Sequence, residues 1–144
     1  MDNAPAGVAD PRFEPEVRID HAVVRQHLLQ TLGRPVTPYR SGGLTVLRAP
    51  AGLGKTTLLA QYAGSLRSSG IATAWVNCAV GADLQKLVAQ ALSNASLLQG
   101  TGASLGQIMA QAYGDSGPFC LFIDCYELAL DSMADAQVEE LARL

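Results

Sequence analysis

Apolar residues recur along this chain in two rhythms. Leu44-Thr-Val-Leu-Arg48, Ala72–Asn77 around Trp75, and Phe119-Cys-Leu-Phe-Ile-Asp124 are short runs, apolar and partly β-branched or aromatic. They predict buried strands. Between them, apolar positions fall at helical spacing. Asp20 is placed to cap a helix whose stripe is Val24, Leu28, Leu29 and Leu32, stopped by Gly33 and Pro35. A second helix begins near Gly54 and carries Leu58, Leu59, Tyr62, Ala63 and Leu66. A third runs from Asp83 to about Gln99 with Leu84, Leu87, Val88, Ala91, Leu92, Ala95 and Leu98, and Gly100 ends it. Ser104 and Gln107 form a capping box that opens a short helix bearing Leu105, Ile108, Met109 and Ala112. A last helix is expected from about Ser132 to Leu144. Strands alternating with helices predict an α/β fold with a mostly parallel sheet. Residues 1–16 lack periodicity and read as a disordered tail, and 34–43 as a linker.

Composition narrows the possibilities. With 144 residues the chain forms one domain at most, long enough to bury a real core. Its 49% hydrophobic content contains no apolar run near the roughly 20 residues that span a bilayer, so no membrane contact is expected. Met1-Asp-Asn-Ala-Pro lacks a basic stretch followed by an apolar one, so no signal peptide is expected and the location is read as cytoplasmic. The net charge of −3 argues against a general nucleic-acid surface. Acids gather from Asp115 onward against Arg143 alone, so DNA contact by this segment is not expected. Between Thr56 and Gly114 only Arg67, Asp83 and Lys86 are charged, which suits elements packed on both faces of a sheet. Cys78, Cys120 and Cys125 form no C-x-x-C pair; a metal site and a disulfide framework are not expected, and Cys78 and Cys120 read as small buried hydrophobes.

The chemistry concentrates in Ala49-Pro50-Ala51-Gly52-Leu53-Gly54-Lys55-Thr56-Thr57. Strand, glycine-rich turn, Gly-Lys-Thr and helix follow in the order of a phosphate-binding loop. A triphosphate is a dense set of anionic oxygens and needs many donors at short range. Gly52 and Gly54 let the backbone turn its N–H groups inward. The helix start adds unpaired amides and the positive end of a dipole. Lys55 supplies a full charge for the β- and γ-phosphates, Thr56 a hydroxyl for Mg²⁺, and Thr57 a weaker contact near the α-phosphate. Pro50 through Thr57 are therefore the candidate nucleotide-binding residues. Ala49 stands where the motif has glycine. A chance Gly-Lys-Thr at a helix start is the plain alternative, and the flanking strand and helix weigh against it.

Asp124 ends an apolar strand downstream of this loop, where a carboxylate can hold the Mg²⁺ shell together with Thr56. Capping the turn after the strand is its plain alternative. Hydrolysis also needs a group that orients water. Cys125 serves poorly, and Glu127 is the nearest acid. In a continuing strand Asp124 and Glu127 would face opposite sides; in a helix they would share a face. Glu127 is thus a candidate base, and a solvated surface acid is an equal reading.

Four segments together resemble the N-terminal P-loop ATPase domain of the large ATP-binding LuxR-family transcriptional regulators (maltose-activator-like, STAND class). They are Val17-Arg-Ile-Asp-His-Ala-Val-Val-Arg-Gln-His-Leu-Leu, Ala49–Gln61, Ala74-Trp75-Val76 and Phe122-Ile-Asp-Cys-Tyr-Glu-Leu128. The resemblance spans residues 17–144: a lead-in helix and linker over 17–43, then a partial P-loop domain over 44–144. It implies a P-loop NTPase three-layer sandwich, incomplete at the C-terminus, in which a later strand lies between the loop's strand and that of Asp124. It implies ATP rather than GTP, and a switch in which ADP holds a closed monomer while ATP with an inducer favours self-association. The family's further domains would follow downstream, so the chain is expected to be a fragment or a truncated product. Two departures stand out: the family commonly has an aspartate where Cys125 stands, and an acid near Cys78-Ala79. The Cys125 departure counts against hydrolysis and leaves binding intact, so the resemblance implies an ATP-binding regulatory module with slow or absent hydrolysis. An active NTPase or small-molecule kinase is the alternative.

Overall fold

A computed structural model describes residues 10–17, 19, 22–33, 45–100, 102 and 104–129. Two strands, β1 (Ala72–Asn77) and β2 (Phe119–Asp124), form a parallel pair with Ala72 opposite Phe119 and Asn77 opposite Asp124. Both coincide with runs predicted from the sequence. Parallel strands need a long crossover, and α3 (Leu84–Asn94) and α4 (Leu105–Ser116) provide it. Earlier in the chain come α1 (Gln26–Gly33) and α2 (Lys55–Ser68). The described residues thus make an α/β arrangement of four helices on a short two-stranded sheet.

Strand alternation sends side chains to two separate cores. Ala74, Val76 and Cys78 join Leu84, Val88 and Leu92 of α3 and Leu105 and Ile108 of α4 on one face. Trp75 and Phe122 point the other way, onto Ala60, Tyr62, Ala63 and Leu66 of α2, with Leu29 and Leu32 of α1 at the margin. There the Trp75 and Phe122 rings stack at 5.3 Å and Tyr62 meets Phe122 edge-on at 6.0 Å. The Tyr62 hydroxyl is buried with no hydrogen-bond partner among the described residues, and its burial pushes the phenol pKa up.

Helix limits follow local chemistry. Asp83 caps α3 by accepting from the Lys86 amide at 3.3 Å, and Ser104 caps α4 by accepting from Gln107 N at 3.3 Å. At their C-termini α2 and α3 close with the same pair of bonds. Ile71 N donates to Leu66 O and Gly70 N to Arg67 O; Leu97 N donates to Leu92 O and Ser96 N to Ser93 O. The closure needs one left-handed residue. In α2 it is Gly70 at φ 78°, but in α3 it is Ser96 at φ 59°. The third helix therefore stops at Asn94 rather than near Gln99, because Leu97 and Leu98 must turn into the core, where each is 5% exposed. Serine has a Cβ that disfavours this conformation. Ser96→Gly is expected to stabilise the chain by about 0.5–1 kcal/mol, after the extra chain entropy of glycine, read as a higher urea midpoint at unchanged slope.

Three further expectations change. Residues 45–50 form no strand; Val46 is 61% exposed, and Leu44 lies outside the described residues. A strand exists only with a neighbour for its backbone groups. β1 and β2 take each other, and no described strand lies beside 45–50. The lead-in helix starts at Gln26, leaving Val24 off the helix and 52% exposed. The expected cap Asp20 lies outside the described residues, as do the linker 34–43 and the helix from Ser132. Finally, residues 10–17 differ from a disordered tail. Asp10 caps a 3-10 turn, Pro11–Phe13. Phe13 packs on the α3/α4 core. The Asn77 amide donates to Pro11 O at 2.6 Å and to Glu14 O at 2.7 Å.

Candidate functional site

The register of the sheet brings Asn77 and Asp124 to one edge, the carboxyl ends of both strands. Helix α2 starts at the same edge. Its cap residue, Gly54, sits at φ 79° and Gly52 at φ 81°, and Gly54 makes no side-chain capping bond. Both positions are left-handed, so a Cβ at either would be strained even though Gly52 has open space around it. With no side-chain cap, the first-turn amides of α2 remain available to an anion.

Lys55 folds over the loop. Its ammonium donates to Ala49 O at 2.6 Å and Pro50 O at 3.2 Å. Thr56 turns the other way, and its Oγ1 donates to Asp124 Oδ2 at 2.6 Å. That bond joins residues 68 apart in sequence. The carboxylate is only 8% exposed, and its second oxygen accepts from Cys125 N at 2.9 Å. Both carboxylate oxygens are thereby held in place. A threonine hydroxyl beside a carboxylate is a hard-oxygen pair of the kind Mg²⁺ takes, few in number with water completing the shell. The donor set fits a Mg²⁺–nucleotide by its chemistry.

Pro50, Ala51, Gly52 and Leu53 form the turn of the loop, and Thr57 follows Thr56 in the first turn of α2. Glu127 is less closely tied. Cys125 breaks the strand at φ 55°, and Glu127 sits exposed on one 3-10 turn, Tyr126–Ala129, closed by Leu128 N to Cys125 O. Its charge acts on the Cys78 and Cys125 thiols, and the charge of Lys55 reaches Cys125 as well. Burial pushes the Cys78 and Cys120 thiols up to about 11, so both are protonated at neutral pH and pack as small apolar groups.

Two residues join the loop that the motif did not indicate. Arg25 Nη1 donates to Leu53 O at 3.3 Å, and Gln61 Nε2 donates to Val23 O at 3.1 Å. With Val23, Gly52, Gly54, Thr57 and Leu58 they line an open cleft of about 250 Å³ beside the glycine-rich loop. No local pattern signals Arg25; only its place in the lead-in segment would have drawn notice.

Comparison with known proteins bears on what this site serves. No protein-family model matches the chain, and no solved structure matches it. It is similar to the HTH-type transcriptional regulator MalT of two Klebsiella pneumoniae strains, 33% identical over an alignment of 131 residues covering 78% of this chain. MalT of Yersinia pestis (strain Pestoides F) is likewise 33% identical, over 128 residues and 78% of this chain. The chain spans 14% of the length of these relatives. No helix among the described residues is long and apolar enough to cross a membrane.

Proposed function

We propose that this chain is the nucleotide-binding switch module of a LuxR-type, STAND-class transcriptional regulator, on a P-loop NTPase fold in the cytoplasm. It binds ATP or ADP with Mg²⁺ and turns ATP over slowly or not at all. The observation that carries the reading is the Thr56–Asp124 hydrogen bond, which joins a glycine-rich loop to a strand-end acid from far along the chain. The similarity to a transcriptional regulator supplies the context.

In this reading the amides of Gly52–Thr57 and the Lys55 ammonium hold the phosphates, and Thr56 and Asp124 hold Mg²⁺. The bound cation supplies charge that the β- and γ-phosphate oxygens need. Lys55 leaves the Ala49 and Pro50 carbonyls to meet the phosphates. Cys125 offers no carboxylate to orient water, and Glu127 is the nearest acid, which accounts for weak turnover. DNA contact and self-association belong to the full-length regulator, since this segment is acidic toward its end.

A titration with fluorescent ATP, with and without Mg²⁺, tests the metal half of the site. Mg²⁺ is expected to tighten binding to the unaltered chain, and Asp124→Asn to remove roughly tenfold or more of that gain. Equal Mg²⁺ dependence in both proteins would remove Asp124 from the metal site. Sustained phosphate release lost in Glu127→Gln would instead favour a working NTPase.

A further inference from the structure

A second cleft shares no lining residue with the one beside the glycine-rich loop. Gln26, Leu29 and Gln30 of α1 form one wall, and Tyr62, Ser65 and Leu66 of α2 the other. Ile71, folded back at the end of α2 by the bond from its amide to Leu66 O, completes the lining. The volume is about 450 Å³, within the roughly 300–1,000 Å³ of sites that hold small organic molecules. Leu29, Leu66 and Ile71 also belong to the aromatic core of Tyr62, Trp75 and Phe122, so the interior is apolar. Gln26, Gln30 and Ser65 are exposed and put amides and a hydroxyl at the rim. Among the described residues that line the cleft, none is charged.

Tyr62 is the anomaly of this cleft. It is 8% exposed, and its hydroxyl finds no hydrogen-bond partner among the described residues. Phenylalanine would meet Phe122 edge-on equally well and bury no polar group. A buried donor without an acceptor is costly and rare in folded proteins. Burial also keeps the phenol protonated, so it stands as a donor. We propose that the cleft is a binding site for a small uncharged organic molecule, an aryl or short alkyl body with one carbonyl oxygen that accepts from the Tyr62 hydroxyl. An ion would shed its hydration here with no opposite charge to meet it. A hydrocarbon would leave the hydroxyl unpaired. A polyol would bury several hydroxyls against Leu29, Leu66 and Ile71, with one interior donor to serve them. The site is independent of the nucleotide reading and stands whether or not the glycine-rich loop binds phosphate.

The 144-residue chain, isotope-labelled for amide resonances, is titrated with acetophenone and in parallel with isopropylbenzene, which has nearly the same shape and no oxygen. Amide shifts on α1 and α2 are expected to saturate with a Kd of about 1 mM for the ketone, and the hydrocarbon to bind roughly tenfold or more weakly. Tyr62→Phe should bind the two alike, the ketone weakened by that same factor. It should also unfold at an equal or higher urea midpoint, because it removes an unpaired group. Ser65→Phe, at an exposed position of the rim, should block the ketone while Tyr62 stays in place. Equal affinity for ketone and hydrocarbon in the unaltered chain overturns the proposal. So does ketone binding that either variant leaves unchanged, and so does the absence of saturable shifts up to about 10 mM ketone. A lower urea midpoint in Tyr62→Phe overturns it as well, since the hydroxyl would then have a partner within the protein.

Discussion

Lys55→Ala is expected to lower ATP affinity about 100-fold or more, close to loss of binding in a fluorescence titration. Among the described residues Lys55 alone is a cationic side chain bonded to the Ala49 and Pro50 carbonyls, and in the proposed reading it offers a full charge to the phosphates. A charge-assisted hydrogen bond in a partly dry site contributes roughly 1.5–3 kcal/mol, and a lysine serving two phosphates stands at or above the top of that range. Each 1.4 kcal/mol is about a factor of ten. Stability should change little, because the bonds that Lys55 makes are to loop carbonyls that water can also satisfy. Lys55→Arg is expected to bind weakly too: its fork has a different reach and shape from a point charge. Undiminished ATP binding by Lys55→Ala would end the phosphate reading of the loop.

Leu92→Ala is expected to destabilise the chain by about 3 kcal/mol, seen as a lower urea midpoint at constant slope. Leu92 is fully buried against the sheet, and its carbonyl closes the end of α3 on Leu97 N. Truncation leaves a cavity in the cluster that also holds Val76, Val88, Leu97, Leu98 and Ile108. Neighbours on a parallel pair and two helices have little room to collapse into it. Domains of this size hold roughly 5–15 kcal/mol in total, so the loss is a large fraction. Leu128→Ala, at a position 45% exposed, serves as the control and should shift the midpoint little.

Much of the arrangement was legible in the sequence, and the residues say why. β1 and β2 emerged at their true bounds because a strand covered on both faces must be a short apolar run with turn residues on each side. Ser104 with Gln107 marked the start of α4 because a cap is local chemistry, readable within four positions. The pairing of Thr56 with Asp124 was expected from the loop-then-acid pattern, and the geometry brings the two together. What failed depended on partners distant in sequence. Residues 44–48 have strand composition, yet a strand is a relation between two segments, and none is described beside it. Ser96 adopts a backbone that serine seldom does, because Leu97 and Leu98 gain more from the core than the turn costs. The docking of residues 10–17 hangs on the Asn77 amide, and no periodicity records it. Arg25 likewise reaches Leu53 across 28 positions.

Asn77 links more than the amino-terminal segment. Its carbonyl oxygen accepts from the indole nitrogen of Trp75 at 2.8 Å, while its amide nitrogen holds Pro11 and Glu14. Trp75 is the single tryptophan of the chain, and Asn77 is the register partner of Asp124. One side chain therefore ties an aromatic chromophore to the anchored segment and to the strand end that carries Asp124. The protein carries its own optical gauge: emission from that indole registers whether the segment is seated, with no dye attached.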